Sequence, residues 1–93
     1  MIKILAACGS GMGSSMIIKM NIDAVLKELN IEHTVEHVSV GQGKSMAKNF
    51  DIVIVQNVFV KDFSVDNHTK VIGLKNLMSK DEIRLKLKEV LGI

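Results

Sequence analysis

Apolar positions along the chain fall into short unbroken runs and longer spaced stretches, and this division predicts alternating strands and helices. Ile2 to Ala7 is a short apolar run closed off by Gly9, the signature of a buried strand. From Ser14 the spacing changes: Ile18, Ile22, Val25, Leu26 and Leu29 recur at helical intervals, with Asn30 where a C-terminal cap belongs. That is a helix of about four turns. His33 to Val40 carries β-branched residues in partial alternation and predicts a second strand. Gly41 and Gly43 then break the pattern, leaving "KSMAKNF" as a short helix. "DIVIVQN" holds four consecutive apolar β-formers, so its strand is buried on both faces, as in a parallel sheet. Residues 58–69 read as a loop with one helical turn, and "KVIGL" as a fourth strand. Ser79 and Glu82 have capping-box spacing ahead of a final stripe of Ile83, Leu87, Val90 and Leu91.

This order predicts an α/β fold: an open four-stranded, mainly parallel sheet with helices on both faces and right-handed crossovers. If the strand order is 2-1-3-4, winding reverses between the first and third strands. Ligands then bind outside the carboxyl ends of the strands at that switch, where the segment after the first strand faces the segment from Gln56.

Composition narrows the picture. With 93 residues, 47% apolar and 24% charged, the chain is expected to form one globular domain over residues 1–93. The net charge of +2 and the absence of Tyr and Trp argue against a nucleic-acid partner, and Phe50, Phe59 and Phe63 are expected in the core. A lone cysteine forms no internal disulfide, which favours a reducing cytoplasm. No apolar segment reaches the ~20 residues that span a bilayer, so direct membrane insertion is not expected.

That cysteine sits in "LAACGSGMGSS", between a strand and a helix. Gly9, Gly11 and Gly13 let successive backbone N–H groups turn inward as an anion-binding nest, and the helix start adds its own unpaired donors. Ser10, Ser14 and Ser15 add hydroxyls, one of the last two suited to capping the helix. A thiol of ordinary pKa ~8.5 is about 3% ionised at pH 7, and a downward shift of two units requires ~2.7 kcal/mol. A helix N-terminus supplies roughly 0.3 to 2 kcal/mol, so the loop amides must add much of the rest. The same donors would hold the oxygens of a phosphoryl group bonded to sulfur.

Several chemistries compete for this loop. A core cysteine beside a tight turn leaves the glycines and serines unexplained. A dinucleotide fingerprint, G-x-G-x-x-G, is matched by Gly9 and Gly11, but its third glycine position is Ser14. The spacing from Cys8 resembles the low-molecular-weight phosphatase loop, C-x5-R-S/T, yet Ser14 stands where that family has arginine. Hydrolysis thereby loses its bidentate clamp on the phosphoryl oxygens. That family's general acid sits in an Asp-Pro loop, and this chain has no proline. A covalent phosphocarrier fits these gaps, because it must hold a phosphoryl group away from hydrolysis and pass it on, with no cofactor or metal.

The run "CGSGMGSSMIIKM" after "IKILAA" resembles the IIB components of the bacterial phosphoenolpyruvate-dependent sugar phosphotransferase system (PTS). "GSSMIIKM" and "HTVEHVSVGQGKS" are most similar to the ascorbate-type branch of the superfamily that includes galactitol-type and lactose/cellobiose-type proteins. The resemblance implies that Cys8 takes a phosphoryl group from a phosphohistidine on a cytosolic EIIA partner. It then passes the group to a sugar bound in the membrane permease EIIC. Gly9, Ser10, Gly11, Met12, Gly13, Ser14 and Ser15 match the family's phosphate loop. A regulatory or thiol-sensing IIB-like module is the alternative.

Other residues receive plainer readings. Met16 and Met20 lie opposite the apolar stripe and should face solvent, forming with Met12 an adaptable docking surface. His33 and His37 read as a solvated strand face, with no completed metal-ligand set. His68 is a remote alternative phosphoryl acceptor. Lys44, Lys48, Lys61 and Lys70 read as surface charge, Lys61 near enough to the switch to add positive potential.

Overall fold

A computed structural model describes residues 1–8, 14–63, 68–75 and 79–92, with backbone alone for Cys8, Ser14, Ser15 and Met16. Four strands, β1 (Ile2–Cys8), β2 (His33–Ser39), β3 (Ile52–Gln56) and β4 (Lys70–Leu74), form one sheet in the order β2-β1-β3-β4. All three pairings are parallel, as the unbroken apolar runs required. The helices are α1 (Ser14–Glu28), α2 (Val40–Met46) and α3 (Lys80–Leu91), with 3-10 turns at Ala47–Asn49 and Asn57–Asp62.

The sheet has a buried layer on each side. Ile4, Ala6, Ile52, Ile54, Ile72 and Leu74 pack against Ile18, Ile22, Val25 and Leu26 of α1 and Ile83 and Leu87 of α3. On the opposite face Leu5, Ala7, Val53 and Val55 meet Val40, Ala47, Phe50 and Phe63, with Phe59 partly buried beside them. Burying each of these large aliphatic side chains contributes roughly 1.5–3 kcal/mol. Strand alternation thus serves two cores, and β3 is apolar throughout because it is buried by both.

The helix ends follow the sequence closely. Asn30 adopts φ 59°, its N–H donates to the Lys27 carbonyl, and the Ile31 N–H reaches back to Leu26. This is a Schellman ending, with asparagine in the left-handed position. Ser79 caps α3 by accepting from the Glu82 N–H at 3.3 Å, while the Glu82 carboxylate accepts from the Lys75 N–H at 2.8 Å.

Three expectations change. The helix after β2 starts at Val40 and contains both glycines instead of following them. Gly43 is there for close approach, since a Cβ would lie 3.2 Å from the Ala7 Cβ and 3.3 Å from the Phe63 ring. Val90 is exposed, so the buried stripe of α3 rests on Ile83 and Leu87, with Leu91 half-buried. His33 is also not on a solvated face: its side chain is only 7% exposed, held between the Ile31 carbonyl and Asp23.

Candidate functional site at the carboxyl edge of the sheet

Two neighbouring strands and the start of a helix converge on the end of β1. Register pairs Cys8 with Ser39, the last residue of β2, and pairs Ala6 with Ile54 of β3. That second pairing ends two residues before Gln56, the last residue of β3, and two residues before Cys8. Helical backbone begins at Ser14, so Ser14 and Ser15 lie within the first turn. In that turn the backbone N–H groups have no carbonyl within the helix to bond, which makes it a donor cluster at the positive end of the helix dipole. Gly9, Ser10, Gly11, Met12 and Gly13, the expected phosphate loop, lie outside the described residues.

The winding reversal falls where the strand order predicted it. From β1 the chain passes through α1 to β2 on one side, while β3 and β4 lie on the other. The 3-10 turn Asn57–Asp62, which carries Lys61, follows β3 at the same edge as Cys8. Gly73 of β4 makes room for that turn: a Cβ there would stand 2.5 Å from Asn57 Oδ1 and 2.6 Å from Val60 Cγ2. On the other side Ser39 accepts from the Gln42 N–H at 3.3 Å and caps α2.

The charged side chains lie elsewhere. Arg84, the sole arginine, donates from Nε to Glu28 Oε2 at 2.6 Å and from a terminal nitrogen to Asp81 at 2.8 Å. These bonds hold the Glu28 carboxyl below its ordinary range, Arg84 contributing most, and raise the guanidinium. Glu28 ends α1 and Ser14 begins it, so about 21 Å of helix separates this ion pair from the start of α1. Arg84 therefore supplies no clamp for phosphate there. His68 precedes β4 and contacts the Lys48 carbonyl at 3.0 Å, at the opposite edge of the sheet from Cys8, which removes it as an alternative acceptor. Among the described residues no group of His, Cys, Asp and Glu is arranged to hold a metal.

The start of α1 thus follows the end of β1 after five intervening residues, and the only arginine of the chain is held at the other end of α1. The chain matches the family of PTS system, Lactose/Cellobiose specific IIB subunits over residues 3–89. It belongs to that family.

Curated relatives of this IIB chain include the ascorbate-specific PTS system EIIB components of Mycoplasma pneumoniae and Salmonella typhimurium. The first is 41% identical over 95% of this chain and 93% of its own length. The second is also 41% identical, over 97% and 89%. The lactose-specific IIB domain of Streptococcus pneumoniae shares the fold, with a TM-score of 0.64 at 12% identity, covering 98% of this chain and 95% of that one. As a IIB component the chain is a phosphotransferase of a sugar PTS, a system in which IIB works with EIIA and EIIC partners. No described helix is long and apolar enough to cross a membrane.

Sequence reasoning missed Ile17, which is 43% exposed on α1. Ile17 falls outside the buried stripe, a signal the periodicity already contained. The strand order had already set the segment from Gln56 beside the end of β1.

Proposed function

We propose that Cys8 is the phosphoryl-bearing residue of this IIB chain, that residues 9–15 cradle the phosphoryl group, and that residues 1–93 act as one cytoplasmic IIB domain. The observation that carries this reading is the position of Cys8: it ends the interior strand β1 at the winding reversal, six residues before the first residue of α1. In the first transfer the Cys8 thiolate attacks the phosphorus of a phosphohistidine on EIIA. The P–S bond forms as the P–N bond breaks, and the bonding pair stays on the imidazole nitrogen. In the second, a hydroxyl of the sugar in EIIC attacks phosphorus, the S–P bond breaks, and the thiolate leaves while the hydroxyl proton passes to a base. Charge develops on the equatorial oxygens in both steps, which backbone N–H donors stabilise without reorganising.

The sugar we propose is ascorbate, supported by identity near 41% over almost the whole chain to proteins named for it. The test combines this IIB chain and a phosphorylated EIIA with vesicles carrying an ascorbate-type EIIC, offered ascorbate or cellobiose. Phosphorylation of ascorbate at ten or more times the rate of cellobiose is expected. Equal rates, or preference for cellobiose in vesicles carrying the matching permease, would overturn the sugar assignment.

A further inference from the structure

We infer that Gln56 is a hydrogen-bond donor to the phosphoryl group during its passage through Cys8, an inference that rests on Cys8 being the phosphorylated residue. β3 is buried from Ile52 to Val55, and Gln56 is the first exposed position on it. It follows an apolar run whose every other residue serves a core, so its polarity has no packing role. Its backbone remains extended, with φ −65° and ψ 145°. Alternation therefore carries its side chain to the face of Ile52 and Ile54, the face covered by α1.

The strand ends place it beside the site: β1 and β3 are last paired at Ala6 with Ile54, and each strand ends two residues further on, at Cys8 and at Gln56. Gln56 occupies the cap position of the turn Asn57–Asp62, yet its side chain makes no capping bond there. The backbone beneath it is held by the seating of Asn57 and Val60 over Gly73. A primary amide so placed donates through Nε2 to a non-bridging phosphoryl oxygen. As a neutral donor it orients the group for in-line transfer without the bidentate hold of an arginine.

Ser39, level with Cys8 on the other side, is the natural control. Its hydroxyl caps α2, so Ser39→Ala should cost stability and leave the transfer rate within about twofold. Gln56→Ala removes the donor, and Gln56→Glu replaces it with an acceptor that repels phosphoryl oxygens while keeping the shape.

The experiment measures phosphoryl transfer from phosphorylated EIIA to the full chain by rapid quench, with phosphate on Cys8 located by mass spectrometry and the 31P resonance of the product recorded. Gln56→Ala is expected to lower kcat about tenfold with KM unchanged, and Gln56→Glu about 100-fold, both with wild-type melting curves. The 31P resonance of the cysteinyl phosphate should shift in Gln56→Ala and not in Ser39→Ala. Wild-type labelling of Cys8 with unchanged kcat in both Gln56 variants would overturn the role of Gln56 alone. Absence of label on wild-type Cys8 would overturn the underlying assignment and this inference together.

Discussion

At the scale of single residues, His33 shows how a side chain that looks incidental holds two elements together. Its Nδ1 lies 2.8 Å from the Ile31 carbonyl and its Nε2 2.6 Å from Asp23 Oδ1, so both partners are acceptors. The bond from His33 is the largest cause holding the Asp23 carboxyl below its ordinary value of 3.8, with Lys27 adding to it. A depressed carboxyl stabilises the fold fully above its unfolded pKa and loses that contribution as pH falls through the folded value. Asp23→Ala should therefore cost about 1 kcal/mol at pH 6, the partial exposure of Asp23 discounting the pair. Denaturant melts of wild type and variant should converge as the pH falls below the carboxylate range. A gap that stays constant down to pH 2 would contradict the pairing. None of this was legible in the sequence, because the partner sits ten residues earlier on another element and an i, i+4 pair of histidines says nothing about it.

At the scale of elements, α1 does two jobs. Its inner stripe of Ile18, Ile22, Val25 and Leu26 seals one core, and its outer face exposes Met20 at 63% and Ile17 at 43%. We propose that this outer face, with Met16 and Met12, receives EIIA, since unbranched methionines adapt to successive partners. The double variant Met16→Ser, Met20→Ser should raise KM for phosphorylated EIIA about tenfold with an unchanged melting curve. An unchanged KM in steady-state transfer would contradict a docking role. The elements themselves were largely legible: the three apolar runs, the alternating stretch of β2, the asparagine ending of α1 and the serine cap of α3 all have local causes. Gly41 and Gly43 misled because local propensity treats glycine as a breaker. Gly43 is in the helix so that α2 can sit against Ala7 and Phe63, a tertiary requirement absent from the local pattern. Val90 lies to the side of the row Ile83, Leu87 and Leu91 that packs on the core, and so stays exposed.

At the scale of the whole molecule, the strand order 2-1-3-4 sets what surrounds the end of β1. It makes β1 central, ends it at Cys8, and brings the ends of β2 and β3 alongside. The same architecture ties Arg84 to Glu28 at the far end of α1, away from the edge where phosphate would sit. The cysteine and the glycines suggest an anion site from sequence alone, since their residue types carry the chemistry, and the strand order set the segment from Gln56 beside the end of β1. The pairing of Cys8 with Ser39 was not legible, because register emerges only once strands pair. Cys8 as the phosphoryl carrier is tested most directly by incubating wild type and Cys8→Ser with phosphorylated EIIA and mapping the added phosphate by peptide mass spectrometry at neutral pH. One phosphate on the Cys8 peptide of the wild type, and none anywhere in Cys8→Ser, is the predicted result; no label on Cys8, or equal label on a histidine in both proteins, would contradict it.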